Sequence, residues 1–156
     1  MEYCELIDSP LGPLLIRASV NGITKVSFMD SGGLIAANPS ALTSRCAKQL
    51  TSYFKGDLQE FDLALDPVGT DFQKRVWAAL AEVRHGRTES YAQLARRLGN
   101  HLFTRAVGTA NGANPIAIIV PCHRIIGSDA SLTGYAGGLW RKKWLLEHES
   151  HQTLLF

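Results

Sequence analysis

The spacing of apolar residues divides the chain near its middle. Between Leu14 and Phe28, two runs rich in Leu, Ile and Val flank Asn21-Gly22, a dipeptide that accepts positive φ, which predicts a hairpin. Ser40 opens a run that places Leu42, Cys46, Leu50, Tyr53 and Phe54 on one helical face, and Gly56 ends it. Phe61, Leu63 and Leu65 alternate with other residues, which predicts one more strand. From residue 70 the period becomes helical. Thr70 with Gln73 has the spacing of a capping box, followed by Phe72, Val76, Trp77, Leu80 and Val83 on a helical repeat. Ser90 with Gln93 forms a second box and opens a helix that Gly99 closes. "TRAVGTA" is a third short helix, with Ala106, Val107 and Ala110 along one side. Two short helices around Gly99-Asn100 read as a helix-turn-helix. "GSDASLTGYAGG" has turn chemistry around a short hairpin. A last helix is expected from Leu139 to Glu149, with Trp140, Trp144 and Leu145 as its apolar residues.

These elements predict an α+β chain of two domains. Residues 1–68 form a small antiparallel sheet with a helix, and residues 69–156 form a mostly helical domain with a winged helix-turn-helix. The junction falls in Asp66–Thr70, where Pro and Gly coincide with a change of charge. Residues 1–69 carry five Lys/Arg against eight Asp/Glu, and residues 70–156 carry eleven against six. A basic C-terminal part fits a polyanionic partner, with ordinary surface charge as the alternative reading. At 156 residues and 46% hydrophobic, the chain is long enough to bury a core. Its three cysteines, Cys4, Cys46 and Cys122, are far apart and odd in number, which argues for reduced thiols and a cytoplasmic location. No apolar run reaches membrane-spanning length, and no signal peptide or membrane association is expected.

Within "IIVPCHRII", Ile118 to Ile126, a thiol, an imidazole and a guanidinium interrupt an apolar segment. Only a thiolate is a strong nucleophile, and a neighbouring base or cation is what produces one. In an extended chain Cys122 and His123 face opposite sides, so contact between them needs a turn or a bridging water. Pro121 restricts its own φ and biases Val120 towards extended geometry. Asn114-Pro115 marks a turn upstream, where the Asn side chain is suited to brace the backbone. Zinc is the competing use of Cys and His. No C-x-x-C occurs, and His85, His101, His123, His148 and His151 have no metal spacing with the cysteines, so neither metal nor cofactor is expected. Cys46 on its apolar stripe and Cys4 in a first strand read as packing residues.

"NPIAIIVPCHRIIG", with "FQKRVWAAL", "SYAQLARRLG", "RAVGTANGANP" and "LTGYAGGLWRKKWLLEHE", closely resembles the O6-alkylguanine-DNA alkyltransferases, of the bacterial single-thiol type. "DSPLGPL" and "GTDFQ" extend the likeness to nearly the whole chain. The resemblance implies a ribonuclease H-like first domain and irreversible, stoichiometric transfer of an alkyl group from O6-alkylguanine, and less efficiently O4-alkylthymine, to the protein. It gives Cys122 the role of acceptor, His123 that of a base acting through water, and Glu149 that of the carboxylate orienting His123. Asn114 matches the residue bracing the turn before the thiol, and Tyr91 the donor to guanine N3. Arg105 matches the finger that fills the space of an extruded base. Tyr135 and Ala136 match the loop over the base, with Ile125 offering a carbonyl. Some members carry Ser at the position of Ala136, and here only the backbone N–H remains as donor. Minor-groove entry into double-stranded DNA makes Ala106 and Ala110 sites of close approach. The implied state is a monomer, with cooperative binding along DNA left open. Arg124 has two readings, tuning the thiolate or bridging carbonyls. The alternative function is a non-catalytic alkyltransferase-like or winged-helix DNA-binding protein.

Overall fold

The computed structural model describes residues 2–30 and 35–154. The chain forms two compact units, one of Met1–Val68 with Pro115–Ala117 and one of Gly69–Asn114 with Ile118–Phe156. In the first, β1 (Tyr3–Ile7), β2 (Leu14–Ala18) and β3 (Ile23–Phe28) form an antiparallel sheet in that order. The central strand β2 is buried on both faces, with Leu14, Leu15, Ile16 and Ala18 all inside. Helix α1 (Ala41–Lys55) packs on this sheet through Cys46, Leu50 and Tyr53. Ser40 and Thr43 cap it reciprocally, and Gly56 ends it at φ 86°.

The Asn21-Gly22 turn forms where the sequence predicts it, with Ser19 N donating to Gly22 O at 3.0 Å. Gly22 also serves a close approach, because a Cβ there would lie 2.8 Å from Ala64 O. The strand expected over Phe61, Leu63 and Leu65 does not form. Only Leu65 bridges to Ile23. Upstream, the Gln49 side chain of α1 accepts from Asp62 N at 2.9 Å and donates to Asp62 O at 3.0 Å. Those backbone groups are thus satisfied by a helix side chain, and no ladder is needed. Phe61 turns towards Tyr53, with ring centroids 5.6 Å apart.

The sequence also gives no hint that the chain rejoins the first unit after Asn114. Val26 N donates to Pro115 O and Ala117 N donates to Val26 O, both at 3.0 Å, which sets Pro115–Ala117 parallel to β3.

The second unit contains α2 (Asp71–Leu80), β4 (Glu89–Ser90), α3 (Tyr91–Arg97), α4 (Thr104–Gly112), β5 (Ile125–Ile126) and α5 (Leu139–Leu154). Both expected capping boxes are present, Thr70 with Gln73 and Ser90 with Gln93. Trp77 is the hub between α2 and α4, its Nε1 donating to Ala110 O at 2.9 Å. A 3-10 turn, His101–Phe103, joins α3 to α4. Strands β4 and β5 pair in parallel. The hairpin expected in residues 127–138 is absent. Gly127 and Ser131 close a single turn, and the carbonyls of Thr133 and Gly134 accept from Lys142 instead of a strand.

Helix α5 also departs from its expected pattern. Trp140 is 58% exposed and lies under the Arg141 guanidinium, 4.6 Å from ring centroid to Cζ. The buried face consists of Arg141, Lys142, Leu145 and Glu149. Three of these four residues are charged, and hydrogen bonds to loops make the burial tolerable.

Candidate active site

The segment between Asn114 and Ile126 is shaped by strain and by side chains that bind its backbone. Ile118 is buried at φ 73°, a conformation that costs a β-branched residue about 1–3 kcal/mol. Asn114 Nδ2 donates to Val120 O at 2.8 Å, and Asn111 Nδ2 reaches Cys122 O at 3.4 Å. Residues Cys122–Arg124 then form one 3-10 turn, closed by Arg124 N donating to Pro121 O. This turn replaces the extended backbone in which Cys122 and His123 would face opposite sides. Asn111 was missed in the sequence reading because its partner is a backbone carbonyl eleven residues away.

Cys122 is 7% exposed. Burial raises its thiol above the ordinary value, against a hydrogen bond from Asn114 and the charge of Lys142, which pull it down. At neutral pH it therefore rests as a thiol. His123 is fully buried, and burial outweighs the pull of Glu149 to lower its pKa and keep the ring neutral. Its Nε2 lies 2.8 Å from Glu149 Oε2, and its Nδ1 is buried with no partner among the described residues. A neutral ring that donates Nε2–H to the carboxylate leaves Nδ1 as a lone pair, the form of a general base.

Arg124 takes a position that neither of its two sequence readings fully gives. Its Nε and Nη2 each donate to Glu149 at 2.9 Å, and its Nη1 donates to Val83 O at 2.6 Å. Burial alone would push the Glu149 carboxyl up, but His123 and Arg124 outweigh it and hold it well below the usual carboxylate range. The bidentate guanidinium is the stronger reason, because the neighbouring imidazole is neutral. Glu149 is consequently an anion that orients His123 while it is itself held in place.

Lys142 is the second residue that sequence reasoning missed. It is fully buried, and its Nζ donates to the carbonyls of Ile125 at 2.5 Å, Thr133 at 2.7 Å and Gly134 at 3.3 Å. Burial lowers its pKa to about 8. The ammonium thus ties the thiol segment to loop 127–138, and the Ile125 carbonyl that was expected to face a base already has one donor. Tyr91, at the start of α3, donates its hydroxyl to Thr133 O at 3.1 Å. Tyr135 on the same loop has its phenol pushed well up by burial and by Cys122, and it stays neutral. Ala136 is exposed beside it.

The remaining expected residues stand apart from this network. Arg105 and Ala106 are exposed at the start of α4. Ala110, at 3% exposure, lies against α2, where its carbonyl accepts from Trp77. Among the described residues, no group of three or more His, Cys, Asp or Glu is placed to hold a metal. No helix among them is long and apolar enough to cross a membrane. Cys46 is buried, with its thiol raised by burial to about 12, which makes it inert.

Fold and site together define an α+β protein whose helix-turn-helix unit carries a buried thiol backed by a His-carboxylate-Arg chain. Residues 2–67 match the 6-O-methylguanine DNA methyltransferase ribonuclease-like domain, and residues 71–151 match the DNA-binding domain of the same family. The chain belongs to the 6-O-methylguanine DNA methyltransferase family. It is 45% identical to a methylated-DNA--protein-cysteine methyltransferase of Methanosarcina barkeri, covering 96% of this chain and 98% of that one. To the protein of that name from Mycobacterium bovis it is 47% identical, over 96% and 93%. A crystal structure of Mycobacterium tuberculosis O6-methylguanine methyltransferase superposes with a TM-score of 0.88 at 43% identity, covering both chains completely. A DNA complex of the Mycobacterium tuberculosis protein matches at TM-score 0.85 and 47% identity, over 94% of this chain and 92% of that one.

Proposed function

We propose that this chain reverses alkylation of DNA directly, moving the alkyl group from guanine O6 to Cys122 Sγ. The observation that carries this reading is the buried thiol on one turn with His123, whose ring is fixed by Glu149 and Arg124. His123 Nδ1 takes the thiol proton through a water. The sulfur attacks the alkyl carbon in line, the S–C bond forms, and the C–O bond breaks with its electron pair retained by guanine. Tyr91 leaves Thr133 O and passes its hydroxyl proton to guanine N3, so that the base departs neutral. The phenolate takes a proton back from solvent after release. Asn114 braces the turn, Ile125 and Ala136 offer backbone groups to the base, and Tyr135 closes the pocket. A thioether has no simple route back to a thiol, so each molecule acts once.

A base inside the stack has to be turned out to reach a buried sulfur, which costs a few kcal/mol. Arg105, exposed and without an ion pair among the described residues, occupies the vacated space. Ala106 permits close approach from the minor groove of the duplex. The protein works as a monomer in the cytoplasm, and O4-alkylthymine is its weaker substrate. The lack of a hydroxyl on Ala136 narrows the hydrogen bonding available to O6.

The test is incubation with a duplex containing O6-methylguanine, followed by digestion and mass spectrometry. One methyl is expected on the peptide containing Cys122 and none in Cys122→Ser. Tight binding of the lesion with an unmodified peptide would replace this reading with a non-catalytic DNA-binding one.

A further inference from the structure

Between Glu89 and Asp129 the sequence contains no acidic residue and four arginines. Two of them are neutralised, Arg97 by Glu82 and Glu89, and Arg124 by Glu149. The other two, Arg96 and Arg105, are exposed without an ion pair among the described residues. This positive, unpaired surface surrounds the turn between α3 and α4, and it complements a polyanion.

A large apolar side chain stands in the middle of it. Leu102 is 75% exposed. A lone exposed leucine is ordinary on a protein surface, and this one is singled out by the rigidity and position of its turn. Asn100 Oδ1 accepts from Leu102 N at 2.9 Å, and Thr104 Oγ1 donates to His101 O at 2.5 Å. Phe103, the next apolar residue, is engaged edge-on with Phe72 at 6.2 Å between centroids. The turn is therefore capped at both ends and anchored by one aromatic pair, and Leu102 is left pointing outward. Arg105 follows three residues later, one helical step away on the neighbouring turn.

We propose that Leu102 is an apolar wedge that enters the duplex at the base step beside the extruded nucleotide, next to Arg105. Proteins that enter the minor groove use such side chains to unstack a step and bend the duplex. An aliphatic wedge and a cationic finger act differently. The leucine fills the opened step and excludes water, whereas the arginine supplies donors to the unpaired base and to phosphates. The proposal deepens the DNA-repair reading above and depends on it for the identity of the partner.

The experiment places 2-aminopurine on either side of O6-methylguanine in a duplex and follows its fluorescence, which rises on unstacking, when Cys122→Ser protein binds. Leu102→Ala and Leu102→Met are compared in that background. Because the side chain is exposed, the melting temperature of each variant should match the parent. The parent and the Met variant should raise the signal, and the Ala variant should give less than about half of it. With Cys122 restored, Leu102→Ala should lower the ratio of the duplex rate to the free O6-benzylguanine rate by about fivefold or more. An unchanged signal and ratio in Leu102→Ala would overturn the wedge. So would a change confined to the concentration dependence of binding on long duplex, which would assign Leu102 to a contact between protein copies. A normal fluorescence rise with no methyl transfer by any Cys122 protein would leave the wedge standing and refute the transfer reading.

Discussion

A nucleophilic thiol kept away from water has to stay protonated until its substrate arrives, and the residues around Cys122 meet that requirement together. Burial raises the thiol, and neutral His123 waits with an open lone pair, held by a carboxylate that Arg124 fixes from behind. Iodoacetamide should consequently modify Cys122 slowly near pH 7 and faster as the pH rises past the ordinary thiol range, with mass spectrometry of the Cys122 peptide as the readout. Glu149→Gln leaves the buried Arg124 with one charged partner fewer, and unfolding in urea should show a loss of about 3–5 kcal/mol. Stability should also depend on acid in a defined direction. His123 and Glu149 both have folded pKa values below their unfolded ones, so the unfolded chain binds more protons. The stability that these groups contribute is complete above about pH 6.5. It should decline as falling pH protonates unfolded His, and fall further near pH 4 as unfolded Glu is protonated and loses its charge. In Glu149→Gln the lower part of that decline should be missing.

At the scale of elements, local signals translated well and long-range ones did not. The capping boxes at Thr70 and Ser90 were legible because cap and partner lie three residues apart, so spacing alone defines them. Helix α5 was misjudged because apolar periodicity assumes that a buried face is apolar. Its actual buried face has Arg141 and Lys142 satisfied by loop carbonyls and Glu149 by a distant imidazole and guanidinium. None of those acceptors is visible in a window of the sequence. Residues 61–65 failed for a related reason, since Gln49 of α1 satisfied the backbone that a neighbouring strand was expected to satisfy. The role proposed for Cys122 rests on its motif and the family resemblance, while the contacts of Lys142, Asn111 and the Arg124 clamp needed the fold. Packing at α2 gives a test of its own. A Cβ on Gly69 would lie 2.4 Å from the Trp77 ring, which is itself held by Ala110 O. Gly69→Ala should cost about 1–3 kcal/mol in denaturant unfolding, because neither partner has room to move.

For the whole molecule, charge is distributed so that the first unit is acidic and the helix-turn-helix unit basic. Most affinity for a duplex should then arise from phosphate contacts of the second unit, and the observed binding constant should fall steeply with added salt. Arg105→Ala should reduce that salt slope by about one, and it should slow transfer from duplex more than transfer from a free base. A slope unchanged by the substitution, measured by fluorescence anisotropy across a salt series, would place Arg105 away from the backbone.

The short return of the chain at Pro115–Ala117 bears on how the protein can be divided. These three residues give β3 a neighbour on the side away from β2, through the two hydrogen bonds of Val26. A fragment ending near Val68 would lack them and would present Val26 as a bare edge, open to pairing with another fragment. The first unit is in this sense not encoded by one continuous stretch, since part of its sheet lies just upstream of the thiol in sequence. Gene rearrangements that exchange one half of the chain would have to carry that splint with the other.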